Sequence, residues 1–144
     1  MHYFRSASVL FVACALAGCS RNQISPPPAT GSAFKVAGIV LGRAIAADKT
    51  VADPTESFRP TDTIYVSVRT EGGASSARLS ARWTYEDGPL VGDTTQTVAA
   101  TGPAVTEFHV SKSDGWPAGS YKVEVSLDGA PAGHKDFRVD QGDL

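Results

Sequence analysis

From Ala77 to Tyr85 every second residue is apolar, with Leu79, Ala81, Trp83 and Tyr85 on one side and Arg78, Ser80, Arg82 and Thr84 on the other. A strand projects successive side chains to opposite faces. This period of two therefore specifies a strand with one solvated face and one face that must be covered. Tyr121, Val123, Val125 and Leu127 alternate in the same way with Lys122, Glu124, Ser126 and Asp128, and Ile64, Val66 and Val68 alternate with Tyr65, Ser67 and Arg69. Weaker strand signals run over 34–43, 94–100, 105–110 and 135–139. Between these segments stand Glu71-Gly72-Gly73, Asp87-Gly88-Pro89, Thr101-Gly102-Pro103, Asp114-Gly115-Trp116-Pro117 and Asp128-Gly129, which supply the positive or fixed φ of tight turns. Only Ile39 to Val51 could carry a helix. Its Gly42 and β-branched residues favour a strand followed by a loop.

One-sided strands without helices have to bury their apolar faces against a second sheet. The expected fold is all-β, an antiparallel two-sheet sandwich of about seven strands. Trp83 on the third strand, and Tyr121 at the start of the sixth after Trp116-Pro117-Ala118-Gly119-Ser120, make the chain resemble the immunoglobulin and fibronectin type III group. That group carries a core Trp on its third strand and a tyrosine corner at its sixth. Val66 or Val68 and Val123 stand where antibody domains place their disulfide, so the resemblance is one of architecture. A jelly roll or a small barrel satisfies the same strand pattern.

The N-terminus is of a different kind. Arg5 precedes an apolar run from Val9 to Ala17, which Leu16-Ala17-Gly18-Cys19 closes. A bilayer core takes about 20 apolar residues to cross, so this run is too short for a permanent span and reads as a secretory signal. Leu16, Ala17, Gly18 and Cys19 resemble the lipobox of bacterial lipoproteins. The resemblance implies that the Cys19 thiol receives a diacylglycerol, that cleavage falls before it, and that the new amine is acylated, for example with palmitate. The competing reading is an ordinary signal peptide cut near Ala15 or Ala17, leaving Cys19 as a free thiol. In a Gram-negative host, Ser20 rather than Asp after the cysteine implies the outer membrane, facing the periplasm.

The expected organisation is a lipoprotein signal peptide at 1–18, a lipidated Pro-rich and disordered tether at 19–32, an immunoglobulin-like sandwich at 33–140 and a C-terminal tail at 141–144. Pro26-Pro27-Pro28 favours polyproline II, and the segment from Ser20 to Ser32 could extend to roughly 40 Å.

Composition narrows the chemistry. The chain holds two cysteines, Cys14 and Cys19, so the sandwich itself has no thiol for a disulfide, a nucleophile or a soft-metal site. Loss of Arg5 with the leader takes one from 13 basic residues against 15 acidic ones, a formal balance of −3. Both signs are interspersed, which argues against a nucleic-acid partner.

No catalytic constellation emerges, and no cofactor is expected. His109 and His134 would have to converge with Glu107 or Asp136 to hold a metal ion, and their spacing is that of surface histidines. Ser111, Ser113 and Asp114 lie near His109 without a nucleophile elbow. Glu86-Asp87 is a turn pair, while Asp62, Glu107 and Glu124 read as solvated strand residues.

Aromatic side chains are the remaining candidates for binding. Trp83 and Tyr121 belong to the expected core. Trp116, in its Gly-Trp-Pro turn, either caps the end of the sandwich beside Tyr121 or offers a binding surface. Tyr65 points away from the core on the side of Arg69, and Arg78 and Arg82 on the next strand would extend that face. Tyr and Arg are enriched at interaction hot spots, and a merely solvated face accounts for the same residues. The sequence thus leads to the expectation of a non-enzymatic, membrane-anchored envelope lipoprotein. Its sandwich would bind an envelope protein or act as a structural accessory, the alternative being a carbohydrate-binding module for cell-wall or exopolysaccharide.

Overall fold

The computed structural model describes residues 33–142, and the lipobox residues Leu16 to Cys19, the leader and the Pro-rich segment lie outside them. Eight strands follow one another: β1 (Lys35–Gly42), β2 (Ser57–Phe58), β3 (Ile64–Glu71), β4 (Ala74–Tyr85), β5 (Leu90–Ala100), β6 (Ala104–Val110), β7 (Gly119–Leu127) and β8 (Ala130–Val139). No helix occurs among the described residues. The strands form two sheets, a three-stranded one in the order β1-β3-β6 and a five-stranded one in the order β2-β8-β7-β4-β5. All neighbours are antiparallel except β2, which runs parallel to the end of β8.

The strand beyond the expected seven is β2. At two residues it is too short to show any period. Ile39 to Val51 resolves into the end of β1 and a loop closed by an Ile45–Val51 bridge. That loop folds over the small sheet, where the Ser67 hydroxyl donates to the Lys49 carbonyl at 2.6 Å.

The alternation seen in the sequence determines what is buried. Leu41, Ile64, Val66, Val68 and Phe108 project from the small sheet onto Leu79, Ala81, Trp83, Val123, Val125, Phe137 and Val139 of the large one, with Phe58 at the margin. Each large side chain so buried contributes about 1.5–3 kcal/mol. Aromatic edges and faces organise the centre. Phe137 stacks on Tyr121 with ring centroids 5.3 Å apart, and it meets Trp83 and Phe58 edge-on at 6.0 and 5.5 Å.

Trp83 is fully buried and its indole N–H has no partner among the described residues. Gly92 of β5 lies directly against that ring. A Cβ there would stand 3.1 Å from both Trp83 Cδ1 and Val110 Cγ1, so the missing side chain lets β5 seal the core at this point.

One end of the sandwich is tied by side-chain to backbone bonds. The Tyr121 hydroxyl donates to the Pro117 carbonyl at 2.7 Å, the Tyr85 hydroxyl donates to Ala118 at 3.1 Å, and the Trp116 indole donates to Asp62 at 2.9 Å. The first of these is the bond of a tyrosine corner. Nearby, Arg43 donates to Asp62 Oδ2 at 3.0 Å and to the Ser57 carbonyl at 2.6 Å, which fastens the loop after β1 to β2 and to the segment that follows it.

Candidate interaction surfaces

The residues nominated from sequence do not form one face. Tyr65 and Arg69 are on β3 of the small sheet, whereas Arg78 and Arg82 are on β4 of the large sheet. All four point outward, and therefore to opposite sides of the molecule. Glu71-Gly72-Gly73 looks like a hairpin turn, but β3 already has β1 on one edge and β6 on the other. With no free edge beside β3, the chain crosses to the other layer.

Trp116 joins neither group. It is 4% exposed, packs edge-on against Tyr121 at 5.8 Å, and bonds through both its indole and its backbone N–H, so it belongs to the end cap. The histidines also part company, His109 lying on β6 of the small sheet and His134 on β8 of the large one. No group of ligating side chains with the spacing of a metal site occurs among the described residues.

On the outside of the small sheet, Tyr65 pairs across the strands with His109, their rings 5.6 Å apart. His109 Nδ1 lies 2.7 Å from Glu107 Oε1, and Arg69 stands exposed farther along β3. These contacts give Tyr65 a half-buried seat. They leave Ser111, Ser113 and Asp114 out of the His109 cluster, since His109 engages Glu107.

The outside of the large sheet is a ladder of opposite charges. Register places His134, Glu124, Arg82 and Asp93 in one row across β8, β7, β4 and β5, with Arg82 and Asp93 3.6 Å apart. In the next row Asp136 faces Lys122, and Lys122 Nζ donates to Asp87 at 2.8 Å. That bond, with the accompanying charge attraction, lowers the Asp87 carboxyl below its usual range and raises the Lys122 ammonium above its own.

Glu86 and Asp87 form the β4–β5 turn with φ of 49° and 54°, a conformation that ordinary side chains avoid. Glu86 offsets this by accepting from the Ser120 N–H at 2.9 Å. Turn and sheet together border an open groove of about 510 Å³ lined by Glu56, Asp87, Lys122, His134, Asp136 and Arg138. Its lining is polar and mixed in sign.

Sequence reasoning did not single out the strand edges, which the sheet order reveals. Among the described residues the exposed large apolar side chains are Val40, Leu90 and Val91, and the last two begin β5 at the rim of the large sheet. The signal was present in the composition of 90–100, which contains neither Lys nor Pro.

An immunoglobulin-like protein from Pseudomonas aeruginosa is similar over 77% of this chain and 99% of its own, with a TM-score of 0.54 and 12% identity. The fold is immunoglobulin-like. In such folds the strand after the Trp-bearing one can join that same sheet, as β5 does here beside β4.

A cycloisomaltooligosaccharide glucanotransferase from Paenibacillus sp., solved with cycloisomaltoheptaose, is similar over 76% of this chain, with a TM-score of 0.51 and 15% identity. An alkylpurine DNA glycosylase from Pseudomonas fluorescens is matched over 74% of this chain, with a TM-score of 0.49 and 13% identity. The chain spans only 14% of the first of these enzymes and 30% of the second. No protein-family model matches the sequence, and no curated protein matches it either.

Proposed function

We propose that this chain is an envelope lipoprotein held by acyl groups on Cys19, and that its sandwich is a non-catalytic module for protein interaction or structural support. The observation that carries this reading is the way the surface is built. Both tryptophans are buried, Tyr65, Tyr85 and Tyr121 are at least half-buried, and two rows of cross-strand charges run across the outer face of the large sheet. Such a face suits a protein surface of complementary charge. A single acyl chain holds a protein to a bilayer only marginally, so the several chains implied at Cys19 supply firm attachment.

The anchor is tested by growing cells with an alkyne-bearing fatty acid and comparing the full chain with Cys19→Ser. Label on the parent and none on the variant is expected. An equally labelled variant overturns the assignment. A signal in the outer-membrane rather than the inner-membrane fraction tests the address that Ser20 implies.

The carbohydrate reading draws on one observation, the similarity to a segment of a glucan-processing enzyme. Sugar-binding sandwiches use an exposed aromatic ring as a stacking platform, and here Tyr65 against His109 is the nearest approach to one. Titration of the protein with glucan and peptidoglycan oligomers, followed by calorimetry, separates the two readings. Heat that disappears in Tyr65→Ala would favour the sugar.

A further inference from the structure

We propose that two copies of this chain pair edge to edge through β5, antiparallel about Thr95, joining their large sheets into one. Exposed sheet edges invite pairing, and proteins blunt them with Lys, Pro, bulges or covering loops. Three of the strands at or near the sheet margins here are blunted in these ways. Along β1, the Thr55 N–H donates to the Leu41 carbonyl and Arg43 to Asp53, while Lys35 and a bulge between Val36 and Gly38 mark its start. The free side of β8 carries Pro131 and Lys135, and β2 covers its end. On β6, the Gln96 side chain donates to the Glu107 carbonyl at 2.6 Å, and Pro103 precedes the strand.

β5 has none of these protections along its middle. It runs for 11 residues with Asp93 as its one charge, and its ladder to β4 is regular from Gly92 to Val98. The irregularities lie outside that stretch, next to Leu90 and opposite Ala99.

The occupant follows from the symmetry of the strand. Thr95 is the midpoint both of the whole strand and of its regular part. Pairing about it sets Leu90 and Val91 of one copy beside Ala100 and Ala99 of the other, so exposed apolar groups meet apolar groups at both ends. Thr95 faces Thr95, a favourable cross-strand pair, and each Asp93 lies opposite a Thr97. The two Asp93 carboxylates are thereby about 14 Å apart along the strand direction, so no like charges oppose one another. Because both copies contribute the same strand, the contact is isologous and closes at two. This pairing is independent of the anchor at Cys19.

Sedimentation equilibrium of the full chain in detergent tests it. The expected mass is that of two chains, falling to one in Thr95→Lys, where two ammonium groups meet at the axis, and staying at two in Val40→Lys on the other sheet. Thermal unfolding of each variant verifies that it is folded. Amide exchange of the parent protein supplies a second reading, because the β5 amides should slow as concentration rises while those of β1 do not. A single-chain mass for the parent, a mass above two chains, a two-chain Thr95→Lys, or β5 exchange independent of concentration would each overturn the proposal.

Discussion

The Tyr121 hydroxyl donates to the carbonyl of Pro117, four residues upstream, at 2.7 Å, while its ring stacks on Phe137 at 5.3 Å. One side chain thus fixes the turn into β7 and fills the centre of the core. Tyr121→Phe keeps the ring and loses the bond, so it should cost about 1 kcal/mol in a urea titration. Tyr121→Ala loses both and should cost about 3–5 kcal/mol, the range for removing a large buried aromatic.

The same residue gives the fold an alkaline limit. Burial, with Tyr85 and Glu86 adding to it, raises the Tyr121 phenol above its ordinary value of 10.0. Above that value the unfolded chain releases the proton while the folded chain retains it, so the unfolded state binds fewer protons and stability falls as pH rises. Tyr121 therefore stabilises fully below pH 10.0 and progressively less above it. Urea midpoints followed upward through that pH should fall less steeply in Tyr121→Phe than in the parent.

Gly119, at the start of β7, has φ of 150°, and a Cβ added there would lie 2.7 Å from Tyr85 Cε2 and 2.5 Å from Glu86 Oε1. The carboxylate can swing away. The Tyr85 ring cannot, because it sits against Tyr121 with centroids 4.8 Å apart and bonds to Ala118. Gly119→Ala should destabilise by about 1–3 kcal/mol, the usual cost of overpacking, measured as a lowered denaturant midpoint. A midpoint equal to the parent's would mean that the corner yields more readily than its contacts imply.

Much of this fold can be read in the chain because alternation is a local property. Leu79, Ala81, Trp83, Val123 and Val125 are identified by their neighbours in sequence, and all are fully buried. Sheet membership is a different matter, since it depends on which edges other strands have already occupied. Arg78 and Tyr65 therefore looked adjacent and are on opposite faces. Turn geometry also escapes residue type, for Glu86 and Asp87 take the positive φ that Gly88 was expected to supply. The tie from the Trp116 indole to the Asp62 carbonyl spans 54 residues and leaves no local trace.

That tie makes Trp116 a stability residue. Trp116→Ala should lower the free energy of unfolding by about 3–5 kcal/mol, as expected for a buried indole, and a chemical melt measures it directly. Were Trp116 a binding platform instead, its removal would leave the melt in place and abolish capture of a ligand.

The separation of Tyr65 and Arg69 from Arg78 and Arg82 makes partner capture a geometric experiment. A rigid partner that grips one face of a two-layer sandwich cannot touch the other. Capture from solubilised envelopes should therefore be lost in one double variant, either Tyr65→Ala with Arg69→Ala or Arg78→Ala with Arg82→Ala, and be retained in the other. The charged ladder favours the second pair, because Arg82 is the one cation in the row that also holds Glu124 and Asp93, and its removal leaves two carboxylates facing the partner. The association rate through that face should fall as salt rises, since exposed charges steer encounters only within a screening length of about 8–10 Å. Equal loss of capture in both double variants would count against a partner that grips a single face.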